Sequence, residues 1–206
     1  MNAARGPVWH QKQKKQGIVP NGLRNLDRQA TWSYSLADGW IYGHGTFCLA
    51  THEIPVLGVF VWMPNSAHEA KRLANEIVQY PGLIETVCMD SKADDQKLYF
   101  GLKANYRIRL ITRPRRGKNK SASRKTMIRE MWTPANRKIF RQRNTTVEPM
   151  QGLVKQLFDL ERCWMHGNEN NRWLFATMGV AVQMAQRLAW LNHQSTWNIK
   201  HFVFGV

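Results

Sequence analysis

An α/β fold is the expectation for this 206-residue chain, and two observations carry it. Apolar runs rich in β-branched and aromatic residues alternate along the chain with amphipathic helical stripes, in the order strand, strand, helix, strand, helix, strand. Alternation of this kind implies a sheet with at least one parallel crossover. In addition, a hydrophobic content of 43% in 206 residues suffices to build the core of one ordinary domain.

Residues 1–38 read as an N-terminal arm or long loop, since the first thirty are polar and basic and GIVPNGL supplies turn chemistry. GWIYGHGTFCLA (Gly39 to Ala50) and VLGVFVWM (Val56 to Met63) are strand-like runs separated by HEIP, hence a predicted hairpin. After Pro64, SAHEAKRLANEIVQY places Ala67, Ala70, Leu73, Ala74, Ile77 and Val78 on one helical stripe, with Ser66 as its cap. LIETVCM ends in a strand at Asp90, DDQKLYFGLK reads as a short helix, and YRIRLIT alternates as a half-buried strand. Residues 146–193 supply C-terminal helices: Thr146 to Leu160, then Asn171 to Leu191, whose apolar run from Trp173 to Val182 is too short to span a bilayer and reads as core.

Between the last strand and those helices the character changes. From Lys103 to Arg143 lie 15 of the 30 basic residues and one acid, Glu130, and residues 114–130 form a basic insertion, solvated or facing DNA. The net charge of +16 points to a polyanionic partner, nucleic acid or an acidic membrane surface. Three separated cysteines suggest neither a disulfide framework nor a zinc site. The basic N-terminus lacks the apolar run of a signal peptide, so a reducing, cytosolic setting is expected. The seven histidines show no metal-ligand spacing, and there is no phosphate-cradling glycine loop.

Two carboxylates stand out. Asp90 lies at the C-terminal end of an apolar strand, where α/β folds place ligand and metal groups; a helix N-cap is an equal alternative. Glu148 follows the basic passage, and Thr145-Thr146-Val147-Glu148 spells a capping box, but Pro149 would then owe a backbone bond it does not have. Lys155 follows two turns later on the same helix face, roughly 10 Å along the axis.

VCMDSKADDQKLYFGLK, then a basic passage, then IFRQRNTTVEPMQGLVKQLFDLER resembles the catalytic domain of DDE transposases of bacterial insertion sequences, the group with a Tyr-Arg-Glu-Lys signature. Phe140, Arg143, Glu148 and Lys155 fall on that signature, with phenylalanine in place of tyrosine. The resemblance covers nearly the whole chain and implies a ribonuclease H-like mixed sheet flanked by helices. It implies divalent-metal-dependent cleavage and strand transfer at double-stranded DNA ends in the bacterial cytosol, with Asp90 and Glu148 as catalytic ligands of Mg²⁺ or Mn²⁺. Arg143 and Lys155 would contact DNA phosphates, and the basic residues Arg115, Arg116, Lys118 and Lys120 would track the duplex; a homodimer is compatible with it. The family's first aspartate belongs upstream of GPVWH, so a chain without the first strand and its ligand is expected, and Asp27 and Asp38 do not replace it. A non-catalytic DNA-binding remnant or inhibitor is the rival expectation; a basic RNA-binding protein explains the charge but not Asp90 and Glu148.

Overall fold

The computed structural model describes residues 16, 26–35, 39–67, 69–80, 82–115, 121–160 and 164–205. They form strands β1 (Thr31–Ser35), β2 (Gly39–Ala50), β3 (Leu57–Pro64), β4 (Thr86–Met89) and β5 (Arg109–Thr112). The helices are α1 (Glu69–Ile77), α2 (Gln96–Tyr106), α3 (Ala122–Met131), α4 (Pro134–Gln142), α5 (Val147–Phe158), α6 (Asn168–Leu191) and α7 (Lys200–Phe204). The class is mixed α/β, as the alternation predicts. The chain divides into two compact units, Met1–Ala67 with Met150–Val206, and His68–Pro149.

In the first unit β1, β2 and β3 form an antiparallel sheet in that order. The β2–β3 hairpin is the one expected from the two apolar runs, with a bulge between Leu49 and Ala50. β1 has no counterpart among the expected elements. Its sequence TWSYS is short but alternates aromatic and hydroxyl residues, and it pairs with β2 from Gly39 to Gly43. α6 packs along β3, and Phe175 meets Phe60 at a ring separation of 5.6 Å. The core joins Leu57, Phe60 and Trp62 to Met150, Val154, Phe175 and Val182. Gly179 permits this approach: a Cβ there would lie 3.1 Å from the Phe60 carbonyl oxygen. Buried Gln186 accepts from the Leu57 N–H at 2.8 Å and donates to the Thr196 carbonyl at 3.1 Å, satisfying backbone groups beside the bulge. α6 is core on one face only, because Trp173, Val180 and Met184 are exposed.

The arm reading stops short of residue 26. Leu26, Asp27 and Ala30 are buried. Asp27 accepts from His44 Nε2 at 2.8 Å and from the N–H groups of Gly167 at 2.7 Å and Gln29 at 2.9 Å. Gly167 sits at φ 91°, a conformation that favours glycine, and this aims its N–H at the carboxylate. The Trp62 indole N–H can only donate, and it does so to His44 Nδ1 at 3.0 Å. The ring proton therefore rides on Nε2 and points at Asp27. Burial alone raises the Asp27 pKa, but the bonds from Gly167, His44 and Gln29 outweigh it and hold the carboxyl below its ordinary value.

The second unit contains the expected parallel crossover, β4 to α2 to β5, with Val87 opposite Leu110. Asp95 caps α2 by accepting from the Leu98 N–H at 2.8 Å, and Arg107 ends it in the left-handed region at φ 57°. Residues 121–142 of the basic passage are folded as two helices. Ser121 caps α3; Thr133 caps α4 with Pro134 at its first turn; buried Asn136 donates to the Glu130 and Met131 carbonyls at the end of α3. Met127 and Met131 turn inward, and Lys125, Arg129, Arg137, Lys138 and Arg141 turn outward. Among the described residues no helix is long and apolar enough to cross a membrane.

Candidate functional site

The site assembles at the C-terminal end of β4. Asp90 leaves the strand with extended backbone and caps the short 3₁₀ turn Ser91–Ala93, its Oδ1 accepting from the Lys92 N–H at 2.7 Å. The Thr112 hydroxyl, at the end of β5, donates to the Asp90 carbonyl at 2.5 Å and fixes this residue to the neighbouring strand. Oδ2 takes no hydrogen bond among the described residues. Of the two alternatives, capping is realised, though for the turn and not for α2. It leaves one carboxylate oxygen available.

Glu69, in the first turn of α1, faces the same corner. Its pKa is raised, first by burial and then by the nearby charge of Asp90, against the pull of Lys92 and Arg143. Lys92 Nζ lies 3.9 Å from its carboxylate. Sequence reasoning missed Glu69, since an acid in the first turn of an amphipathic helix is ordinary dipole complementation.

Arg143 follows α4 and stacks over the Phe140 ring at 5.3 Å. Its Nη2 donates to Glu148 Oε1 at 3.0 Å, while Nε is buried without a partner. Glu148 is therefore not in a capping box; both Thr145 and Thr146 hydroxyls donate to the Gln142 carbonyl. Pro149 falls in the first turn of α5, where its missing N–H costs nothing. The Glu148 side chain is 56% exposed. Arg143, the partner of Glu148, also acts electrostatically on Glu69 and Cys88, holding both below the values that burial alone would give.

Lys155 lies exposed on α5. Arg115 is exposed and donates its backbone N–H to Asp94 at 2.6 Å; Arg116, Lys118 and Lys120 lie outside the described residues. Several cations that sequence alone would count toward DNA are already paired: Arg124 with Asp94, Lys103 with Glu130 and Arg72 with Glu76. The outward set on α3 and α4 carries no ion pair among the described residues.

Hard carboxylate oxygens suit Mg²⁺ or Mn²⁺. Among the described residues, however, no three His, Cys, Asp or Glu side chains group so as to hold a metal ion. Asp90 and Glu148 do not make that site by themselves, and Arg143 occupies one Glu148 oxygen. What these residues offer as they stand is a strand-end carboxylate with one open oxygen, an Arg143–Glu148 ion pair, and two consecutive helices that turn cations outward. Comparison with protein-family models, with curated proteins and with solved structures finds no match for this chain.

Proposed function

We propose that this protein binds duplex DNA through phosphates and acts in DNA transposition, as a member of the DDE transposase class with Asp90 and Glu148 in the catalytic positions. One observation supports this most: Asp90 stands at the C-terminal end of a parallel strand with one carboxylate oxygen free of hydrogen bonds among the described residues, and Glu148, 58 positions on, presents an exposed carboxylate paired with Arg143. Such a strand end is where α/β sheets place their chemistry. Lys125, Arg129, Arg137, Lys138 and Arg141 supply the phosphate contacts, and Arg143 contacts the phosphate at the cleaved end after releasing Glu148. The ribonuclease H-like arrangement and the bacterial cytosol belong to the same reading.

Phosphodiester cleavage by two metal ions needs oxygen ligands on both. The described residues fall short of that set, which favours a second reading, DNA binding without cleavage by a remnant or inhibitor. Binding of a short duplex, followed by anisotropy, separates both readings from the loss of either. Affinity should fall steeply with salt, log K dropping about 0.9 per phosphate neutralised per decade of salt. Replacing Lys125, Arg129, Arg137 and Lys138 by alanine should flatten that slope. No binding at low salt overturns both readings. Mn²⁺-dependent cutting abolished by Asp90→Ala and by Glu148→Ala supports the enzyme; binding without any cutting supports the remnant.

A further inference from the structure

We propose that the outer face of α6 is a homodimer interface on which a second copy of this chain docks antiparallel, about a two-fold axis at Val180. Trp173, Thr177, Val180, Met184, Leu188 and Leu191 recur at spacings of four, three, four, four and three. At 3.6 residues per turn they form one straight stripe over five turns, about 27 Å long. All are exposed; Trp173 is 70% and Met184 62% exposed, whereas the opposite side of α6 is buried on β3.

The occupant follows from charge. From Trp173 to Gln186 the helix carries no charged residue, in a chain of net charge +16. This is a face on which two such chains meet without cationic repulsion. The helix has only three charged residues: Glu169, Arg172 and Arg187. Arg172 is engaged, stacked over Trp62 at 4.9 Å. Glu169 and Arg187 are exposed, carry no ion pair among the described residues, and lie 18 positions apart, hence on the same edge of the stripe. A reversed copy centred on Val180 sets Glu169 within about one turn of the partner's Arg187 at both ends, on matching edges. It also opposes the two helix dipoles favourably. A parallel copy would oppose like charges.

A single helix face is smaller than the roughly 800 Å² per partner of stable complexes, so association in the micromolar range is expected. Sedimentation equilibrium of the full chain should show 24.0 kDa monomers going over to dimers with concentration. Val180→Asp should hold the chain monomeric with unchanged circular dichroism. Arg187→Glu should weaken the dimer at least several-fold, and the double variant Glu169→Arg, Arg187→Glu should restore it. Under oxidation the Val180→Cys variant should cross-link to its own copy, and the Trp173→Cys variant should not. A chain that stays monomeric to hundreds of micromolar overturns the proposal. So does a dimer indifferent to Val180→Asp, a charge swap that fails to restore, or a Trp173→Cys variant that cross-links more readily than the Val180→Cys variant.

Discussion

Arg124 holds Asp94 with both arms of its guanidinium, Nη1 donating to Oδ1 at 2.6 Å and Nη2 to Oδ2. The Asp94 side chain is fully buried, and the Arg115 N–H donates to the same carboxylate. The Asp94 bond keeps the guanidinium more basic than an ordinary arginine, against the effect of burial. This pair fastens α3 to the turn after Asp90.

Removing either partner leaves the other a buried charge without its counter-ion. Asp94→Ala or Arg124→Ala should cost about 3–5 kcal/mol, and Arg124→Lys should recover little, since lysine lacks the fork. Urea midpoints check this. A loss below about 1 kcal/mol, the range of an exposed pair, would mean that this one is solvated.

Asp27 gives a pH dependence. Its folded pKa is depressed, so its contribution is present above the unfolded value of about 3.9 and lost as pH falls toward the folded value. Asp27→Asn should be about 2–4 kcal/mol less stable at neutral pH, and its stability should change less than the wild type's as pH falls below about 3.9. Parallel curves for the two proteins would refute the assignment.

Two glycines should respond with opposite sign. Gly179→Ala puts a methyl against the Phe60 backbone and should destabilise by about 1–3 kcal/mol. A Cβ on Gly152, inside α5, meets nothing within 4 Å, and Gly152→Ala should stabilise by about 0.5–1 kcal/mol. Thermal midpoints decide both.

Glu148→Ala should leave stability within about 1 kcal/mol of wild type, because the Glu148 half of its ion pair with Arg143 is 56% exposed. Loss of DNA cutting in that variant, with an unchanged thermal midpoint, would then report function and not folding.

Much of the fold is legible in the sequence because local pattern and tertiary role agree. The 39–50 and 57–64 runs are apolar and form the central hairpin; β4, α2 and β5 follow from short apolar strands around a capped helix. β1 escapes because TWSYS, although it alternates hydroxyl and aromatic residues, is only five residues long and adjoins the polar, basic stretch that reads as an arm. α3 and α4 are masked by charge, although Thr133-Pro134 spells a helix start to a reader who ignores the lysines and arginines. Of the candidate residues, Asp90 is singled out by a strand end and Glu148 by the proline after it. Glu69, and the pairing of Asp27 with His44, depend on contacts across the chain that no local pattern encodes.

The first unit is assembled from two stretches of chain, with the second unit between them in sequence. During synthesis the β2–β3 hairpin leaves the ribosome well ahead of α6, the helix that covers it. Phe60 precedes Phe175 by more than a hundred positions, on the order of ten seconds of translation. His68–Pro149 is contiguous and can close at once, whereas Phe60 and Trp62 wait uncovered for their partner. Nascent chains stalled before residue 168 should therefore be the ones that chaperones hold and proteases clear.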